Sequence, residues 1–546
     1  MKNKNIIQIS SIIFFIGIIL IIISWYYSYP IYMSSVNDLT FSQFFPLLWP
    51  GIIFSLIGIF LVGYYSRNKI LHILCCFLCP ILLYITTFFF SYIASSDCGT
   101  AKSNFFVFQK VGIDPHVVTY FEFPNYFILN DILHQAVGFD VKGVAFISFS
   151  LYGILIALFL YLIYSKLMEK NYQHLSFLLV IIYFIGMFSF LNYQWAPQTL
   201  ALIYTLVLIF ISTYLLSESS EFKWKFLIIL IFSSLVFTHA FLSIIFLLFF
   251  GILTVKKKYL FPLFLLLTSI YIIYTLYHTI ANFEQYVETF RQSIQGFGGE
   301  YTKYVSKSTG ESEGIISQLI SNFNRIRIPI IWIIVSVGTA LLFFKRKFGF
   351  FLIALGLSGG FYLGVGIFYS VLGLRSFQIL FIPMTIGMIF FISKWKKLTI
   401  LVIFIILILA VFGPMRDAYN ATQFQTDEEA NACNFLANNA TAEEPPRLAV
   451  NQVDYGYFTT IYSYLRNVYP TVIRPGELEF FNIFNRSMNK KDYVIYNSNL
   501  GKEIINSGIT KDHLLNLLME LKMNNKIYDS GKTFIINGAF SKTKHQ

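Results

Sequence analysis

The sequence predicts an all-α polytopic membrane bundle of about 11 full spans plus one re-entrant hairpin, followed by a small extracytoplasmic α/β domain. Three observations carry this expectation. The 546-residue chain is 56% hydrophobic and only 12% charged, with a mean hydropathy of +0.65. Apolar runs long enough to span a bilayer recur from the first residues to about residue 414. Within that part the basic residues are confined to alternate connecting segments. The expected partner is the lipid bilayer, and no nucleic acid.

The predicted spans are 7–27, 47–65, 71–93, 143–165, 174–192, 197–216, the hairpin 226–255, 259–278, 328–344, 350–370, 376–393 and 398–414. The first follows Met1-Lys-Asn-Lys-Asn. It is too apolar for too long to be a signal-peptide core, and no small-x-small site follows, so it is read as an uncleaved span. Cys75, Cys76 and Cys79 lie inside a span and read as core residues. Cys98 and Cys433 fall in segments predicted outside, with no metal-ligand spacing.

Charge placement sets the topology. From Arg416 onward the chain holds 14 basic and 14 acidic residues, so the net charge of +12 resides in residues 1–415. One set of segments carries Lys2, Lys4, Arg67, Lys69, Lys166, Lys170, Lys223, Lys225, Lys256–Lys258, Lys345–Lys347 and Lys394, Lys396, Lys397. Only Glu169, Glu218 and Glu221 oppose them. The excess of Lys and Arg in cytoplasmic loops places this set inside. The protein is then a multi-pass plasma-membrane protein with a cytoplasmic N-terminus and an extracytoplasmic C-terminus.

That assignment needs Lys225 and Lys256 on one side. Phe226–Val255 would be about 45 Å long as a single helix, against a hydrocarbon core of about 30 Å. It is too short for two full spans. It therefore reads as a hairpin that enters, turns at Thr238-His239 and returns. Irregular backbone at membrane depth is tolerated against protein or a wet cavity, so the turn implies a cleft in the outer half of the membrane. The plainer reading is one long tilted helix with His239 hydrogen-bonded inside the bundle.

Two outer loops are long, 94–142 and 279–327. The first opens with Asp97 and ends in an amphipathic helix from Asn125 to Val137. Its apolar face is predicted to be Phe127, Ile128, Ile132 and Leu133, lying along the membrane surface. The second has a Gly-Phe-Gly-Gly centre and reads as a lid. The domain after residue 415 reads as residues 416–546, with a helix in Asp427–Ala440, a strand at Arg447–Val453, and a terminal helix, strand, turn at Asp529-Ser530-Gly531, and strand. Sequons at Asn420, Asn439 and Asn485 fall in it, as expected of an outer glycoprotein segment.

Polar side chains gather at the predicted outer ends of the spans: Asp97, Gln194, Gln198, His239 and Arg375. An ionisable group at membrane depth is a functional candidate by default. Each also has a plain reading. Arg375 snorkels, Gln198 hydrogen-bonds a neighbouring helix, and Asp97 is a loop residue. Together they suit a substrate that is half lipid and half polar. Arginine holds a phosphate through charge-assisted hydrogen bonds, and a carboxylate takes the proton of an attacking hydroxyl. A sugar on a lipid phosphate needs no ATP for transfer. No phosphate-binding loop or dinucleotide fingerprint is present, and no acidic pair has metal-cage spacing. The cofactor is therefore unknown, with a divalent cation left open.

The pattern resembles the GT-C class of integral membrane glycosyltransferases, which use polyprenyl-phosphate sugars, and among them the poorly characterised archaeal and bacterial members. The matching pieces are Asp97 opening the first long loop, Tyr120-Phe-Glu-Phe-Pro124-Asn-Tyr-Phe leading to Gly138-Phe-Asp140, Trp195-Ala-Pro-Gln198 before a span, and Thr238-His239. An arginine late in the bundle and a soluble C-terminal domain also match. The resemblance implies that Asp97 is the general base and Arg375 binds the donor phosphate. His239, Gln198, Gln194 and Trp195 would bind substrate. The partners it implies are a lipid-linked sugar donor and an extracytoplasmic glycan, lipid or protein acceptor. The chain departs from the family in following Asp97 with Cys98 instead of a second acid, which makes Asp114 and Glu122 fallback bases. It also has an extra pair of spans before the Asp97 loop. Two other classes compete: a polysaccharide polymerase or ligase, and a lipid-linked sugar transporter or flippase.

Overall fold

The computed structural model describes residues 2–34, 46–85, 123–139, 141–187, 195–217, 222–279, 315–344, 349–366 and 370–419. Shorter pieces between 101 and 113 and around 432–437, and five strands near the C-terminus, are also described. A helix stands at every predicted span. In chain order these are α1 Lys2–Ser34, α2 Leu48–Tyr65, α3 Lys69–Leu83, α4 Asn125–Val137, α5 Val141–Leu167, α6 Ser176–Gly186, α7 Pro197–Ser217, α8 Phe222–Val236 and α9 Ala240–Lys256. They continue as α10 Phe261–Thr279, α11 Ile315–Phe344, α12 Phe350–Gly366, α13 Ser370–Thr385, α14 Gly387–Lys394, α15 Lys396–Ala410 and α16 Phe412–Tyr419. Five helices are long and apolar enough to cross a membrane: Lys4–Tyr27, Leu48–Tyr65, Gly143–Leu167, Pro197–Leu216 and Lys258–Tyr277. The remaining apolar helices are shorter, at 10–17 residues each.

Two departures from the expected boundaries have local causes. Helix α11 begins at Ile315, so the end of the expected loop 279–327 is helical, while its Gly-rich centre lies outside the described residues. The expected span 376–393 is two helices, α13 and α14, broken at Ile386. Pro383 sits just before the break and cannot donate to the preceding turn. Thr339 of α11 donates to the Met384 carbonyl at 2.8 Å there, and Thr385 pairs with the Tyr164 hydroxyl at 2.7 Å. The break is thus closed by side chains from other helices.

Helices α1 and α2 pack as an antiparallel pair. Gly17 faces Gly51 and Ser55, Gly51 faces Ile21, and Gly58 faces Phe14. A Cβ on Gly17 would lie 2.4 Å from the Ser55 hydroxyl, so only glycine permits this approach. Small residues at such crossings let dispersion and backbone contact hold helices together where lipid offers no hydrophobic drive.

The basic segments gather at one end of the bundle. The antiparallel α1–α2 register, with Phe14 at Gly58 and Gly17 at Ser55, carries the start of α1 toward the end of α2, where Arg67 and Lys69 follow. His72 of α3 stacks on Phe177 at 5.0 Å, which brings that corner to the start of α6 and to Lys170. Lys166 lies 4.4 Å from the Tyr214 ring, which stacks on Trp224 at 4.7 Å beside Lys223. The Tyr259 hydroxyl donates to the Leu215 carbonyl at 2.5 Å, and Lys256 sits over Phe350 at 5.3 Å. Helices α11 and α13–α14 run in the same direction, with Trp332 against Phe377 and Gly338 against Gly387, so the end of α11 at Phe344 lies toward the same end as Lys394.

The run Phe226–Val255 folds back on itself. It is broken between Val236 and Ala240, with His239 in extended backbone at φ −166° and ψ 116°. The rings of Phe232 and Phe246 are 5.7 Å apart. In one continuous helix those residues would be separated by about 21 Å of rise. The run is therefore a helical hairpin: α8 starts at the basic end and α9 returns to it at Lys256.

Near the C-terminus, β1 Arg447–Ala449, β2 Thr471–Ile473, β3 Asp492–Tyr496, β4 Lys526–Asp529 and β5 Phe534–Asn537 form one sheet in the order β2-β1-β3-β5-β4. β1 is parallel to β2 and β3; β5 is antiparallel to β3 and β4. The strand expected from Arg447 is described over Arg447–Ala449, and β4 and β5 pair antiparallel as expected, while the turn residues Ser530 and Gly531 lie outside the described residues. The parallel pairs require crossovers, as in an α/β arrangement.

Candidate functional site

The end opposite the basic one is organised around α4. Helix α4 follows Pro124 and stops at Gly138, whose φ of +71° suits a left-handed C-cap. Its buried side is Tyr126, Phe127 and Asn130, while Ile128 and Ile132 are 37% and 56% exposed. The expected apolar face of Phe127, Ile128, Ile132 and Leu133 is therefore split. Phe127 points inward and the two isoleucines point out. The cause is tertiary: an asparagine on the inward side meets buried donors that the helical pattern does not reveal.

Asn130 is fully buried and accepts two hydrogen bonds at its Oδ1. The Trp195 indole donates at 3.0 Å and the Ser148 hydroxyl at 3.0 Å. Its amide donates to the Tyr126 carbonyl at 2.7 Å. One asparagine thus ties α4, α5 and the segment entering α7. Around it Phe105, Tyr126 and Trp195 form an aromatic layer, with Phe105 edge-on to Trp195 at 5.9 Å.

Asn125 does the same for the hairpin. Its amide donates to the Thr238 hydroxyl at 2.9 Å and to the Ser234 carbonyl at 3.2 Å, and lies 3.4 Å from the Tyr204 hydroxyl of α7. Its backbone N–H donates to the Phe237 carbonyl at 3.2 Å. Thr238 also bonds the Ser234 carbonyl at 2.6 Å. This cluster takes up the Ser234 and Phe237 carbonyls at the break in the hairpin. The next helix, α9, starts after His239 with no side-chain cap on its first turn. Its positive dipole end faces the same region. Phe237 is exposed and packs on Tyr274 of α10 at 4.6 Å.

The sequence-predicted site residues distribute as follows. His239 is at the hairpin turn and half-buried. Gln198 is the second residue of α7 and 7% exposed. Trp195 is wholly buried, with its N–H taken by Asn130, so it supports the wall from behind instead of lining a surface. Arg375 lies in the first half of α13, at the end away from Lys394. Asp97, Asp114, Glu122 and Gln194 lie outside the described residues. Among the described residues no cluster of His, Cys, Asp or Glu is arranged to hold a metal ion. The expected groups at this end include His239 and Gln198, whose chain neighbours Thr238 and Trp195 are held by Asn125 and Asn130 of α4.

Sequence reasoning did not single out Asn125 or Asn130. A usable signal existed for Asn130: a polar residue among Tyr126, Phe127 and Leu133 on one helical face. Asn125 had none, because an asparagine after proline reads as an ordinary helix start. Compared with known families and with characterised proteins, the chain matches none.

Proposed function

We propose that the protein is a membrane glycosyltransferase of the GT-C type, moving a sugar from a polyprenyl-phosphate donor to an extracytoplasmic glycan, lipid or protein acceptor. The observation that carries this reading is the broken hairpin. An apolar run enters from the basic end, turns at 237–239 beside α4 at the opposite end, and is held there by Asn125. A turn of this kind lets a lipid tail lie in the bilayer while its phosphate meets polar groups. With the basic end cytoplasmic, the turn opens toward the outer face.

In the proposed reaction the Asp97 carboxylate takes the proton of the acceptor hydroxyl. The hydroxyl oxygen bonds to the anomeric carbon as the bond from that carbon to the phosphate oxygen breaks. The lipid phosphate leaves with the electron pair, and Arg375 balances its charge. The Thr238-His239 turn and Gln198 orient the sugar phosphate. The first turn of α9 adds its dipole to the same anion.

The test is the surface glycan profile, by mass spectrometry, of a deletion strain complemented with wild type, Asp97→Asn or His239→Ala at equal membrane levels. A sugar restored by wild type and not by Asp97→Asn supports both the reaction and its base. Restoration by both moves the base to Asp114 or Glu122. A deletion that alters no glycan removes the transferase reading.

One observation favours a second reading, a lipid-linked sugar transporter. Helix α13–α14 is also broken, at Ile386, and paired discontinuous helices are a feature of transporters. Movement of a fluorescent lipid-linked sugar across proteoliposomes, without hydrolysis or transfer, would identify that activity.

A further inference from the structure

In the sheet near the C-terminus, β1 is flanked by β2 on one side and β3 on the other, with Leu448 in register with both Val472 and Tyr493. The three strands are parallel, so their carboxyl ends share one edge of the sheet. The order β2-β1-β3-β5-β4 gives the direction of each connection. From β1 the chain goes to β2 on one side; from β3 it goes to β4 on the other, beyond β5. The strand order therefore reverses between β1 and β3. In open α/β sheets such a reversal leaves a crevice outside the carboxyl ends of the two strands, because the connections that leave them diverge, and ligands bind there.

The register defines this edge. β1 ends at Ala449, opposite Val494, and β3 runs on through Ile495 to Tyr496. The sequence continues from β1 as Val450-Asn451-Gln452 and from β3 as Asn497-Ser498-Asn499. Both segments lie outside the described residues. Covalent geometry alone keeps the Asn451 Cα within about 8 Å of the Ala449 Cα, and the Asn497 Cα within about 4 Å of the Tyr496 Cα. Four amides and a hydroxyl, with no charge among them, thus follow the two strand ends. The opposite edge differs in kind: β3 is entered through Lys490-Lys491 and begins at Asp492. An amide side chain both donates and accepts, which matches the hydroxyls of a sugar, whereas an anionic ligand calls for cations.

We propose that the C-terminal domain binds a neutral carbohydrate at the carboxyl ends of β1 and β3, with Asn451, Gln452, Asn497 and Asn499 supplying hydrogen bonds to its hydroxyls. The site is independent of the proposed reaction: it concerns binding, which is measured without any transfer.

The test uses full-length protein, fluorescently labelled and purified in lauryldimethylamine oxide so that no detergent sugar competes. It is applied to a printed array of neutral and acidic oligosaccharides. The wild type should bind at least one neutral oligosaccharide. The double variant Asn451→Ala, Asn497→Ala should weaken that binding at least about tenfold, as expected for two lost hydrogen bonds. The pair Asn451→Asp, Asn497→Asp keeps the side-chain shape but removes the amide donors, and should lose the ligand as well. The control pair Lys490→Gln, Lys491→Gln, beside the start of β3, should stay within about twofold of wild type. A wild type that binds no neutral oligosaccharide overturns the proposal. Undiminished binding by the Asn451 and Asn497 variants also overturns it, because the sugar then binds elsewhere on the chain. Equal loss in the asparagine and lysine pairs does the same. Melting temperatures matched to wild type separate a lost site from a lost fold.

Discussion

The side-chain amide of Asn125 donates to the hydroxyl of Thr238 at 2.9 Å, across 113 residues of sequence. This bond fastens a helix lying at the end of the bundle to the turn of a hairpin that rises through it. Both partners also reach the Ser234 carbonyl, so the helix, the turn and the α8 terminus form one polar unit.

Asn125→Ala should lower stability by about 1–3 kcal/mol, because it removes two amide hydrogen bonds and leaves Thr238 and the Ser234 carbonyl only the bond between themselves. The melting temperature in detergent measures this. In a double-mutant cycle, Thr238→Val on the Asn125→Ala background should cost at least about 0.5 kcal/mol less than on wild type. Simple additivity would show that the two residues are not coupled.

Asn130→Leu should be the more damaging change of the two asparagines. It removes the acceptor of both the Trp195 indole and the Ser148 hydroxyl while filling the space with carbon. Each stranded donor costs about 1–3 kcal/mol. Trp195→Phe deletes one of those donors together with its need for an acceptor, and should cost less. Thermal melts of the two variants should rank in that order.

The glycines of the α1–α2 crossing should be intolerant of side chains. Gly17→Leu or Gly51→Leu drives carbon into Ser55 or Ile21 and should separate the pair, lowering folded yield and melting temperature together. Gly360 of α12 meets nothing within 4 Å of a built Cβ. Gly360→Ala should therefore be neutral or stabilising by up to about 1 kcal/mol, from helix propensity alone.

The hairpin has a topological consequence. In a cysteine-free background, Lys225→Cys and Lys256→Cys should react identically with a membrane-impermeant maleimide added to intact cells, and both should be protected. Opposite labelling would mean that Phe226–Val255 crosses once, and the fold-back seen at Phe232 and Phe246 would have no place in the membrane.

Much of this architecture was legible in the residues. Helices follow from long apolar runs, because backbone polar groups in an apolar medium must bond within the segment. The break at 237–239 followed from arithmetic: the run is too long for one crossing and too short for two, and basic residues bracket both ends. The terminal strands followed from turn residues at Asp529-Ser530-Gly531. The orientation of α4 did not follow. Its helical pattern allows an apolar face through Ile128 and Ile132, and only the acceptor offered by Asn130 to Trp195 and Ser148 turns the other face inward. The break at Ile386 was missed because a proline in an apolar run is compatible with an intact, kinked helix.

The sequence by itself determined what is local or cumulative: the apolar class of the chain, the position of its helices, the segregation of its basic residues and the hairpin register. These depend on composition, period and sign of charge, which are readable without knowing any neighbour. Tertiary structure alone decided which polar residues meet. Asn125 with Thr238, Asn130 with Trp195, and Lys166 with Tyr214 are pairings between helices far apart in the chain. A buried polar group must find its partner in three dimensions, and the identity of that partner is a property of packing.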